Sequence, residues 1–253
     1  MSRFLAAGLW LLLISVASAQ DARRIVTESQ DRSRAKSERY EGTLETTGPS
    51  NKAGLKRWTY QRIGSFGASK AILRFTAPPE LKGLAVLIVN HPDRAADQWM
   101  WTPAIERERR VAPQDRSTRF FGTDFSFEDL EERDINLFDF KMLGEEPIDG
   151  APCWKIESKP QESKSSQYTS SMLWIRKDNS VMAQIENFSN AMLVRRIHYS
   201  DLEKVDNIWT PRTVEVFDAG RKSRTVLRLE KLQYNTPMKD DDFTLEALRR
   251  GSP

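Results

Sequence analysis

The residues that could do chemistry are few and scattered. His91 lies in Asn90-His91-Pro92-Asp93, directly after an apolar run, and His198 lies inside Arg196-Ile197-His198-Tyr199. Neither has a second histidine at i+2 or i+4 and no cysteine pair accompanies them, so the usual zinc spacings are missing. A set of His91, Asp93 and a distant carboxylate is the one metal arrangement that stays open; a turn histidine and a surface-strand histidine are the better readings. There is no Gly-x-Ser-x-Gly elbow, no Ser-x-x-Lys with its partner motifs and no glycine loop for phosphate. Two acidic clusters, Glu128, Asp129, Glu131, Glu132 and Asp134, and Asp240 to Asp242, could support acid–base work. Carboxylates in and beside a capped helical turn more often compensate its dipole and stay solvated. Cys153 is the only cysteine; within Pro152-Cys153-Trp154 it reads as a small buried hydrophobe that can form no internal disulfide. The expectation is a protein that is not an enzyme, with no catalytic residue, metal or cofactor.

Apolar and aromatic material is what the chain has in excess. Trp58, Trp99, Trp101, Trp154, Trp174 and Trp209 mostly fall on strand-like segments, and Trp99 and Trp101 share a face. Any one of them alone reads as core. Together they suggest a curled sheet whose concave side, rich in Leu, Val, Met and Trp, forms a cavity for an apolar ligand. An acyl chain buried there gains about 0.8 kcal/mol per CH₂, enough for a reversible carrier without any reactive group.

The elements that would position such a cavity start at the N-terminus. Arg3, the apolar stretch Phe4–Val16 and Ala17-Ser18-Ala19 form an export signal with cleavage expected after Ala19. The apolar run is shorter than the ~20 residues of a membrane span, and no cysteine follows it for a lipid anchor. A mature single domain over 20–253 in the periplasm is expected. The whole chain carries a formal charge of +3 with its charges interspersed, which argues against a nucleic-acid or anionic-surface binder. Residues 22–38 carry a helical pattern through Ala22, Ile25, Val26 and Ser29. From Tyr40 the period becomes two: Ala71, Leu73 and Phe75 on one face, Lys70, Arg74 and Thr76 on the other. Polar breaks at Lys177–Ser180, Ser189–Ala191 and Asp218–Arg221 signal hairpins. The pattern is an antiparallel meander, barrel or sandwich, with no βαβ alternation. Gly83–Val89 is apolar on both faces and must be covered on both. Gly122–Leu130 interrupts the meander; Ser126 with Asp129 looks like a capping box and predicts a short helix over 127–132. Phe125, Phe127 and Leu130 would make it an apolar lid.

Several blocks carry a resemblance. Phe75–Leu87, Asp97-Gln-Trp-Met-Trp-Thr-Pro103, Arg107-Glu-Arg-Arg-Val111, Gly122–Leu130, Gly150–Ile156 and Trp174-Ile-Arg-Lys-Asp178 recur in that order in the outer-membrane lipoprotein-sorting protein family, the extended relatives of the periplasmic carrier LolA. The resemblance spans roughly Tyr40 to the C-terminus. It implies a mainly β fold, a curved, incomplete antiparallel barrel with an N-terminal helix and a short inserted helix as lid. It also implies a periplasmic carrier of lipid or lipoprotein acyl chains towards the outer membrane, associated with RND/MMPL-type inner-membrane exporters; a monomer is expected. On this reading Leu73, Phe75, Leu84, Val86, Ile88, Trp99, Trp101, Phe125 and Phe127 contact the ligand. The alternative is a periplasmic sensor or transporter adaptor using the same cavity; a hydrolase ranks last for want of a nucleophile.

Overall fold

The computed structural model describes residues 21–49, 53–92 and 94–250; the expected export signal and Asp93 lie outside them. Helix α1 covers 21–32. It stops short of the expected 38, because Ser37 already belongs to the first strand. Six strands follow: β1 (Ser37–Thr47), β2 (Ala53–Ile63), β3 (Lys70–Ala77), β4 (Ala85–Val89), β5 (Asp97–Thr102) and β6 (Arg107–Arg110). After an irregular crossing segment come β7 (Phe138–Glu145), β8 (Cys153–Pro160), β9 (Ser170–Arg176) and β10 (Met182–Ser189). The chain ends with β11 (Met192–Val205), β12 (Ile208–Asp218), β13 (Ser223–Tyr234) and the short helix α2 (Leu245–Arg250).

All thirteen strands belong to one antiparallel sheet, ordered β6-β5-β4-β3-β2-β1-β13-β12-β11-β10-β9-β8-β7. The chain therefore begins at the centre, walks outward by hairpins to β6, crosses to the opposite edge and walks back until β13 closes on β1, with Leu44 opposite Leu227. β6 and β7 do not pair, so the barrel stays open. Its curvature follows from the core. Leu73 and Val86 of β3 and β4 share one buried cluster with Ile197 and Val216 of β11 and β12, strands far apart in the sheet order. Only a sheet that curls on itself brings them together.

Two plugs fill the inner face. One is the crossing segment, whose Phe120, Phe121, Phe125 and Phe127 pack on Trp58 and Phe75, with ring centroids 4.8–6.5 Å apart. Edge and tilted ring contacts of this kind add to the burial term of each ring. Asp124, with no exposed surface, ties this plug to β13 by accepting hydrogen bonds from Thr225 Oγ1 (2.7 Å) and from Ser223. Gly42 makes room beside it: a Cβ there would sit 2.1 Å from Trp58 Nε1 and 2.9 Å from Leu227. The second plug is α1, whose Ala22, Ile25 and Val26 bury against Phe138, Phe140, Ile156, Leu173 and Ile175. Arg23 fixes its height by donating to Phe138 O (2.7 Å) and Ile135 O (3.1 Å).

The two-faced apolar run is covered twice, as its composition demands. Val86 and Ile88 face the crossing segment, while Ala85 and Leu87 face Phe243 and Leu248 of the C-terminal segment on the outside. Arg74 reaches across from β3 to donate to Leu248 O at 2.8 Å, satisfying an end carbonyl of α2.

The helix expected over 127–132 is a single 3-10 turn, Glu128–Leu130. The Ser126–Asp129 pairing is present: Asp129 accepts from Ser126 N (2.7 Å), and its own N–H donates to Ser126 Oγ (3.3 Å). The next carboxylates go to partners outside the turn rather than continuing it: Glu131 to Arg116 and to Gln98 of β5, Glu132 to Arg62 of β2 and to Ser69.

Candidate functional site: a cavity between the two plugs

Where the plugs meet, the inner face is left uncovered over a cavity of about 470 Å³. Val26, Ser29 and Gln30 of α1 form one wall and residues 128–134 of the crossing segment another. The floor comes from the sheet: Leu173, Met182, Ile185, Ile197 and Tyr199 of β9, β10 and β11. Leu173 and Ile197 are buried, whereas Trp209 at the rim stays 37% exposed. A volume of this size lies within the ~300–1,000 Å³ of small-molecule sites, towards the lower end.

The wall formed by the crossing segment is charged, and nearly every charge in it is matched. Asp129 is held by Arg195, by Ser126 and by Tyr168 Oη (2.8 Å), and the Asp129 and Arg195 side chains are each 3% exposed. Glu131 meets Arg116 at 3.3 Å and Lys164 at 3.5 Å, and Glu132 meets Arg62 at 3.5 Å. Burial pushes the Glu131 and Glu132 carboxyls above their ordinary range, and the arginine and lysine neighbours pull the other way. These carboxylates are therefore buried and paired rather than solvated, because the segment dives into the open barrel instead of running over its surface. Burial also pushes the Tyr199 phenol up to about 12.

Arg133 stands apart. Its guanidinium lies 4.5 Å from the centre of the Phe138 ring and donates to Ser171 Oγ at 3.1 Å. Its Nη1 is buried without a hydrogen-bond partner.

At the rim, His91 Nε2 is 3.0 Å from Asp97 Oδ2. Burial of Asp97 works against its charge, but hydrogen bonds from Arg94, Arg110 and His91 outweigh it and hold the carboxyl well below the usual range. His198 pairs instead with Asp149 at 2.9 Å, so the two histidines serve different places. Among the described residues no group of three or more His, Cys, Asp and Glu side chains is placed to hold a metal. Cys153 is fully buried, donates to Ala151 O and has its thiol pushed up by burial.

None of the residues expected to contact a ligand lines this cavity. Leu73, Phe75, Leu84, Val86, Ile88, Phe125 and Phe127 do share the inner face, but the crossing segment packs down on them as closed core. Trp99 and Trp101 are on the outer face, under the C-terminal segment. Their strand register explains the reversal: Trp99 pairs with Leu87 and Trp101 with Ala85, both outward, which puts Met100 inside beside Val86. The floor residues Leu173, Ile185 and Ile197 were legible only as alternating strand positions. Nothing local marked them as cavity floor, since that depends on where α1 and the crossing segment stop.

The open, curled antiparallel sheet with its N-terminal helix and crossing segment is shared with solved structures. A LolA superfamily protein from Nitrosomonas europaea superposes with a TM-score of 0.72 at 20% identity, covering 89% of this chain and 98% of that one. An outer membrane lipoprotein-sorting protein domain from Vibrio parahaemolyticus gives a TM-score of 0.87 at 22% identity, covering 92% and 100%. A DUF1329 family protein from Desulfovibrio piger gives 0.87 at 23%, covering 91% and 99%. At these identities the likeness is one of fold. No curated protein matches the chain. The chain belongs to the family described as "-like: Uncharacterized protein", whose model matches residues 67–250.

Proposed function

We propose that this protein is a periplasmic carrier that shelters lipid or lipoprotein acyl chains in the cavity between α1 and the crossing segment. The observation that supports the reading is an apolar floor in which Met182 and Ile185 stay partly uncovered over the buried Leu173 and Ile197, inside a curled, open sheet that superposes on a LolA superfamily protein. Sheet residues that a folded chain leaves uncovered in its interior lose contacts that a ligand restores. Acyl methylenes supply the match at about 0.8 kcal/mol each. Binding and release rather than turnover is the proposed output.

The reading includes export with cleavage after Ala19, one lipid-binding domain over 20–253, a monomer, and delivery towards the outer membrane from an RND/MMPL-type inner-membrane exporter. Its test is mass spectrometry of lipid extracted from protein purified from the periplasm without detergent. Acyl lipid near one equivalent, lost in an Ile185→Asp variant that still folds, is the expected result. Lipid-free protein that also takes up no fluorescent fatty acid would overturn it.

A further inference from the structure

Every arginine that the interior of the open barrel shares with the crossing segment, except one, has a carboxylate opposite it. Arg62 meets Glu38 at 2.8 Å and Glu132, Arg116 meets Glu131, and Arg195 meets Asp129 and Asp218. Arg133 has Ser171, the Phe138 ring and a free Nη1. Among the described residues no carboxylate reaches it within ion-pair distance. The nearest acidic groups are already engaged: Glu128 accepts from Ser166 and from Gln167 N (3.0 Å), and Asp129 is held as above. Asp134, its neighbour in the chain, caps the following turn by accepting from Asn136 N at 2.9 Å.

A guanidinium removed from water without a counter-ion is costly. Burial accordingly makes the Arg133 cation less favourable, and the distant charges of Glu128 and Asp129 offset that only in part. The side chain is nevertheless fixed rather than free to leave for solvent. Phe138 holds its face, Ser171 holds one nitrogen, and Gln30 of α1 holds its backbone by donating to Arg133 O at 2.7 Å. The planar fork of arginine is suited to carboxylate and phosphate oxygens. Tyr199 lines the same cavity.

We infer that the cavity selects an amphiphile with one compact anionic group, a carboxylate or a phosphate, which Arg133 pairs while the acyl chain lies on the partly uncovered Met182 and Ile185. The ligand's anion takes the place of the carboxylate that every comparable arginine already has. The inference rests on the carrier reading above and goes further by naming the polar end of the ligand and the residue that reads it.

The test compares dodecanoate, dodecyl phosphate and dodecanol as competitors of the neutral probe N-phenyl-1-naphthylamine bound to the whole protein. The parent chain is expected to bind at least one of the anions roughly tenfold tighter than the alcohol, the yield of one charge-assisted hydrogen bond in a half-buried site. Arg133→Gln should abolish that preference and leave dodecanol unchanged, and Arg133→Lys should keep part of it. The exposed Arg107→Gln should keep all of it. Unchanged dodecanol binding also shows that the variants are folded. Preference for one anion over the other identifies the headgroup class. Equal binding of all three by the parent, or a preference that survives Arg133→Gln, would overturn the inference and leave the carrier reading standing. If neither the probe nor any of the amphiphiles binds the parent chain, the carrier reading fails and this inference with it.

Discussion

Changing Asp129 to Asn tests whether the crossing segment is locked down by charge. Asp129 Oδ2 accepts from Ser126 N and Ser126 Oγ, both at 2.7 Å, and from Arg195, while Oδ1 accepts from Tyr168 Oη at 2.8 Å. All four partners are donors. An amide turns one of the two acceptors into a donor that faces donors, and it removes the counter-charge of Arg195. What Arg195 keeps is Asp218 at 3.8 Å, too long to replace the lost bond. Breaking a buried ion pair from one side costs about 3–5 kcal/mol. The residual Asp218 contact places this case at the lower end, about 3 kcal/mol. For a chain of this size that lowers Tm by about 6–12 °C. Urea unfolding followed by tryptophan fluorescence should show the fall as a lower midpoint with an unchanged slope. The double change Asp129→Leu with Arg195→Met should be milder than Asp129→Asn alone, because no charge is left unpaired. A loss below about 1 kcal/mol for Asp129→Asn would refute the account, since the pair would then be no better than a solvated one.

Gly42→Ala should cost about 1–3 kcal/mol, read as a lower urea midpoint, because the new methyl meets the buried Trp58 indole at 2.1 Å and Leu227 at 2.9 Å. Ile185→Trp projects bulk into the cavity and should abolish uptake of a fluorescent fatty acid while changing stability by about 1 kcal/mol or less, since it fills space rather than displacing core. Asp97→Asn should lower stability at neutral pH by about 1 kcal/mol, discounted because Arg94 and Arg110 are each more than half exposed. The native carboxyl is held below its unfolded value. Its contribution is therefore complete above about pH 4 and is lost as the pH falls through the lower folded-state value. Parent and variant should converge in acid unfolding midpoints there.

Much of the sheet was legible because turn chemistry and period are local. Asp97–Thr102 and Ser170–Arg176 are strands, and the expected breaks at 177–180 and 189–191 are hairpin turns. The apolar run of β4 announced two covers without naming them; they are the crossing segment and α2. What periodicity withholds is which face points inward. Trp99 and Trp101 read as one apolar stripe, correctly, yet the stripe faces α2 because the register with Leu87 and Ala85 is set by the neighbouring strand. The helix length after Ser126 was misjudged for a related reason. A cap predicts where a helix starts, whereas past its single turn Glu131 and Glu132 pair with Arg116 and Arg62, partners far along the chain that no local pattern shows.

The site was less legible than the fold because a cavity is made by what does not reach it. The aromatic-rich half of the chain supplied the residues that look most like a hydrophobic ligand site, yet Phe120, Phe125 and Phe127 satisfy Trp58 and Phe75 from within the chain. The half with the plainer strands, β9 to β11, is covered on the helix side by the apolar surface of α1, and Ala22, Ile25 and Val26 are spent on Phe138, Phe140 and Leu173. Past Val26 the helix turns polar, with Ser29, Gln30 and Ser33, and these residues line the cavity instead of filling it. Uncovered floor begins where the apolar stripe of α1 ends. Lengthening that stripe, by Ser29→Leu and Ser33→Leu, should close the cavity from the helix side, raise the urea midpoint and remove probe binding together. Probe binding that persists in a chain so stabilised would place the ligand elsewhere.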